Sequence, residues 1–144
     1  MTKGLASVCA VAVAVALAQP VAIAAQGTGT AQSLGTVRLS RAVKANGETL
    51  AAGTYTVRLT TESPKPAVGQ TQAEMRWVEF VQGGQVRGRE VATVLTPAEL
   101  QKVQESKGPA SGSAKVEMLK GNEYLRVWIN RGGTHYLVHL AVGP

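Results

Sequence analysis

Two turns in the last third of the chain constrain its fold more than any other feature. Gly121-Asn122 and Gly132-Gly133 each have the chemistry of a two-residue hairpin turn. If both are such turns, the first sets Met118 opposite Leu125, Val116 opposite Val127 and Ala114 opposite Ile129. The second sets Ile129 opposite Tyr136, Val127 opposite Val138 and Leu125 opposite Leu140. One face of a three-stranded antiparallel meander becomes uniformly apolar, whereas slipping either hairpin by one residue mixes apolar and charged rows. That face supplies half of a core. The other half is expected from Val37, Leu39, Tyr55, Val57 and Leu59, which alternate with polar residues in two upstream segments.

The opposite face of the meander follows without further assumption. Its rows read Ser113, Asn130, His135; Lys115, Trp128, Leu137; Glu117, Arg126, His139; and Leu119, Tyr124, Ala141. Two aromatic rings, an arginine and two histidines on one sheet face form a candidate platform for a glycan or other ligand. Flat rings stack on sugar faces, and cations stack on rings. The candidate ligand-binding residues are Tyr124, Arg126, Trp128, His139 and Lys115. The competing reading is a solvated charge ladder, with the tryptophan covered by a helix or loop.

The same rows weigh against catalysis. Glu117 and His139 flank Arg126, so with strands about 4.8 Å apart they stand nearly 10 Å from each other, beyond the reach of an acid/base pair. His135 and His139 lie four residues apart on one strand, roughly 13 Å, too far to chelate one metal. No Gly-x-Ser-x-Gly elbow is present. The expectation is a non-enzymatic protein with no cofactor, no catalytic residues and no metal site.

The first two dozen residues supply an address. Lys3 precedes an apolar run from Leu5 to Leu17, Gln19-Pro20 breaks it, and Ala22-Ile23-Ala24 offers the small residues of a signal-peptidase site. Residues 1–24 therefore read as a signal peptide, cleaved after Ala24 or Ala25, rather than as an anchor, which wants about 20 strongly apolar residues. The expected location is periplasmic or extracellular, with no stable membrane insertion after cleavage and no nucleic-acid partner. Cleavage removes Cys9, the only cysteine, so the mature domain has no disulfide and relies on burial alone. It also leaves 14 Lys and Arg against nine acidic residues, all of them Glu. A basic balance favours polyanionic neighbours, and the lack of Asp disfavours a dedicated calcium loop.

Between these ends, residues 25–34 carry no apolar period and read as a flexible leader, with order expected from about Gly35 to the C-terminus at residue 144. Asn46-Gly47 marks a turn. The segment from Gly47 to Leu59 (GETLAAGTYTVRL) resembles the G-x-x-L-P-A-G-x-Y-x-V segment of small secreted bacterial β-sandwich proteins, with Ala51 where that pattern usually has proline. The resemblance implies an Ig-like or transthyretin-like antiparallel sandwich and carries over no functional residues. Residues 61–73, with Pro64 and Pro66, read as a long loop, either without order or covering a site.

Met75–Gln82 and Gln85–Leu95 read as a hairpin about Gly83-Gly84 with two competing registers. One pairs Glu79 with Arg89 and Trp77 with Val91; the other pairs Val81 with Val86. Thr96-Pro97-Ala98-Glu99 is a capping box with proline at the first helical position, which predicts a short helix to about residue 105. Leu100 and Val103 give it a thin apolar stripe, suited to docking on the sheet edge. The whole reads as an all-β sandwich of about seven strands with one short helix. Its function is expected to be an exported module binding a glycan or envelope protein; the alternative is a structural or assembly subunit of the envelope, and an enzyme comes a distant third.

Overall fold

The computed structural model describes residues 31–69, 74–103 and 108–143. The expected signal peptide and most of the leader lie outside the described residues. Nine strands follow in order: β1 (Gln32–Leu39), β2 (Val43–Ala45), β3 (Glu48–Leu50), β4 (Gly53–Leu59), β5 (Met75–Gln82), β6 (Gln85–Leu95), β7 (Ala114–Met118), β8 (Tyr124–Arg131) and β9 (Thr134–Val142). The helix α1 (Pro97–Val103) stands between β6 and β7. Every strand pairing is antiparallel.

The C-terminal meander has the registers expected of it. Met118 pairs with Leu125 and Ala114 with Ile129 across β7 and β8. Leu125 pairs with Leu140 and Ile129 with Tyr136 across β8 and β9. Gly132 and Gly133 have φ of 62° and 90°, the left-handed pair that a type I′ turn requires and that other residues adopt only with strain.

The strands form one hydrogen-bonded path, β7-β8-β9-β6-β5-β4-β1. It curls until β1 packs against β7 and β8, so the sheet is nearly closed. The two apolar layers expected of a sandwich are thus opposite walls of a single curved sheet. Val37, Leu39, Tyr55 and Val57 on one wall and Val127, Ile129, Val138 and Leu140 on the other are all buried in one cluster, with Leu59 packed at its margin. Tyr55 meets Phe80 edge-on, with ring centroids 6.3 Å apart, and its hydroxyl donates to the Ala51 carbonyl at 2.8 Å.

Order starts earlier than the composition of the leader suggests. β1 begins at Gln32, and Leu34 is only 2% exposed in the core. A single leucine is too little to break a polar pattern in the sequence, but in the fold it joins the main core cluster. The loop after β4 is tied down at its start: the Trp77 amide donates to the Glu62 carbonyl at 3.1 Å and Arg76 Nη1 donates to Ser63 Oγ at 2.8 Å.

The β5–β6 hairpin uses both of its competing registers. Val81 pairs with Val86 next to the two-residue turn, while Glu79 pairs with Arg89 and Trp77 with Val91 further along. A β-bulge reconciles them, with Arg87 as the extra residue between Val86 and Gly88. The bulge sets Gly88, buried, opposite Phe80. A side chain at Gly88 would press on Leu50, since a Cβ there would stand 3.0 Å from Leu50 Cδ2. The β2–β3 hairpin can therefore close over β6 while its own ladder runs to β9 through Val43 and Lys44. Glu90 fixes the hairpin in place: its carboxylate accepts from the Asn46 amide at 2.7 Å and from the Val91 amide at 2.9 Å.

Candidate functional site

The outer face of β7, β8 and β9 carries the rows deduced from the two turns. Lys115 pairs with Trp128 and Trp128 with Leu137; Glu117 pairs with Arg126 and Arg126 with His139; Tyr124 pairs with Ala141. The five candidate residues are therefore neighbours in space. Exposure decides between the two readings of Trp128 in favour of the covered one. Trp128 is 0% exposed and cannot offer its ring to a ligand.

Its cover has three parts. Leu100 of α1, Leu137 and Leu95 pack with Trp128 in a small apolar cluster on the outside of the sheet. Gly108 lies against the indole so closely that a Cβ there would stand 2.5 Å from Cζ2. The indole Nε1–H donates to Nδ1 of His135 at 3.0 Å, and His135 is itself buried. Leu100 of α1 finds its bed in this patch, and a short helix gains stability mainly from the apolar area it buries. Thr96 and Glu99 close the capping box at its start: Glu99 Oε2 accepts from the Thr96 amide at 2.8 Å, and Thr96 Oγ1 accepts from the Glu99 amide at 3.3 Å. Downstream, the Asn130 side-chain amide donates to the Pro109 carbonyl at 2.9 Å.

Arg126 is committed as well. Its Nε donates to Glu117 Oε1 at 2.8 Å and its Nη2 to the same oxygen, and its guanidinium stacks 5.0 Å from the Trp128 ring centroid. Lys115 Nζ stands 2.9 Å from Glu117 Oε2. Partial burial pushes the Glu117 carboxyl up, but hydrogen bonds from Lys115 and Arg126 outweigh it and hold its pKa below the ordinary value. What remains open to a ligand is Tyr124, 46% exposed, with Lys115 and His139. Desolvation by the surrounding chain, aided by the Arg126 charge, lowers the pKa of His139. Desolvation alone lowers that of His135.

A second aromatic-cation pair lies on the outer face of β5 and β6. Arg89 stacks 5.1 Å from the Trp77 ring centroid, and Trp77 is partly exposed. Arg89 Nη2 pairs with Glu62 at 2.5 Å, and the Glu62 side chain is 65% exposed. Arg58 pairs with Glu79 at 2.9 Å in the same cross-strand row as Arg89. Arg89 also borders an open groove of about 500 Å³, lined by Ala45, Asn46, Glu48, Val86, Arg87 and Gly88. The hairpin register that pairs Glu79 with Arg89 carried the signal for this site. Its weight was hidden because Arg87 and Gly88 gain their places only through the bulge.

No family model, curated protein or solved structure matches this chain. No group of three or more potential metal ligands occurs among the described residues, and no helix among them is long and apolar enough to cross a membrane.

Proposed function

We propose that the protein is an exported, non-enzymatic β module that binds an acidic glycan of the cell envelope through Arg89, Arg87 and Trp77. The carrying observation is that Arg89 joins two features: the partly exposed Trp77 ring and the open groove beside the Arg87 bulge. Its ion-pair partner Glu62 reaches it from an exposed loop position, so an acidic sugar can replace that carboxylate at little cost. Arginine suits this task because its planar guanidinium accepts a carboxylate or sulfate in bidentate fashion. The basic balance left after cleavage, 14 Lys and Arg against nine Glu, draws such polyanions to the surface.

Titration calorimetry with heparin as an acidic probe and dextran as a neutral one tests the reading. Heparin binding is expected to weaken about tenfold or more in the Arg87→Ala, Arg89→Ala double variant. A control that removes Lys102 and Lys120, equal in charge but away from the groove lining, is expected to retain most of it. Glu62→Ala should bind more tightly. Equal losses in the double variant and the control would reduce the binding to net charge and sink the proposed site.

A further inference from the structure

We propose that the Trp128–His135 hydrogen bond is an acid-sensitive latch that controls the docking of α1 on the sheet. The bond needs an unprotonated Nδ1, because Nδ1 accepts from the indole Nε1–H at 3.0 Å. A proton taken from solvent at Nδ1 turns that acceptor into a second donor facing the first. The bond breaks, and a positive charge arises in the cluster that Leu100, Leu95 and Leu137 close.

Among the described residues, the surroundings give such a charge no compensation. The cross-strand neighbours of His135 are Asn130 on β8 and Leu95 on β6, neither of them ionisable. From β8, Arg126 stacks on Trp128 and adds positive charge nearby; Lys115 on β7 lies across from the same tryptophan. On α1 the charged residues are Glu99, engaged by Thr96 in the capping box, and Lys102, exposed. His139 on β9 belongs to the next outward position but one, beside Arg126. The lowered pKa of His135, caused by burial, agrees with this geometry. Loss of the bond removes the polar tie beneath α1 and leaves Leu100 as its only described buried apolar anchor. The sheet core is separate from this cluster, so α1 can undock without global unfolding. Undocking uncovers an apolar surface of Trp128, Leu137 and Leu95 that is closed at neutral pH.

Hydrogen exchange by mass spectrometry on the full chain, corrected for intrinsic exchange rates, reads the latch. Between about pH 7.5 and about pH 5, protection of α1 is expected to fall about tenfold or more while β8 keeps its protection. His135→Gln, which offers an uncharged acceptor, is expected to abolish the pH dependence, and His139→Gln to leave it intact. A histidine-resolved NMR titration of the unsubstituted protein serves if His135→Gln fails to fold. The inference is overturned if α1 protection does not follow His135 titration, or if His139→Gln rather than His135→Gln removes the effect.

Discussion

Gly108 leaves no room for a methyl group against the Trp128 ring. Gly108→Ala must therefore displace backbone or indole, and urea denaturation is expected to show a loss of about 1–3 kcal/mol. Trp128→Ala removes the ring itself and should cost about 3–5 kcal/mol in the same assay, with heparin affinity of the folded fraction unchanged. A large affinity loss without destabilisation would return Trp128 to the role of a docking platform. At this scale the sequence made Trp128's strand neighbours legible, because cross-strand pairing follows from turn chemistry. It offered cover by a helix or loop as one of two readings of that ring, with no local signal to choose between them. Whether an outward tryptophan meets water depends on where Leu100 and Gly108 land, and neither is bound to it by a local rule.

The elements show the same division between local and non-local information. The meander was readable because three strands of uniform alternation admit one register. Both registers of β5 and β6 were visible too, but a two-residue period has no symbol for an inserted residue, so their coexistence through the Arg87 bulge was not. The helix announced itself through Thr96 and Glu99, whose side chains satisfy amides only a few residues away. The attachment of the β2–β3 hairpin was hidden in Glu90, which looks like any strand carboxylate until its two amide partners are known. Glu90→Gln leaves one of those amides facing an NH₂ group. It is expected to cost about 1–3 kcal/mol and to raise hydrogen exchange in residues 43–50 more than elsewhere. Uniform exchange across the chain would contradict the pinning role.

For the molecule as a whole, the titrating groups give a definite sign to acid stability. His135 and His139 both have lowered pKa values in the fold, so the unfolded chain binds protons first. Stability is expected to be complete above about pH 6.5 and to decline as pH falls from there toward the folded-state values. Glu117, also lowered, adds a further loss below the ordinary carboxyl value of 4.5, as its carboxylate is protonated more readily in the unfolded chain. Thermal melts across this range should show Tm falling with acidity, and a Tm that rises instead would contradict the assignment of both histidines. The overall architecture was legible as antiparallel β, because nearly every apolar pair alternates with polar residues. The closure of β1 onto β7 and β8 was not, since it depends on the curvature of the entire sheet rather than on any one turn. That closure leaves Trp128 and Trp77 on the same outer surface in opposite states, one covered and one open. Acrylamide quenching of tryptophan fluorescence separates them most directly. With Trp77→Phe, the remaining Trp128 is expected to emit at short wavelength and resist quenching at neutral pH; quenching as strong as that of free indole would contradict its burial beneath α1.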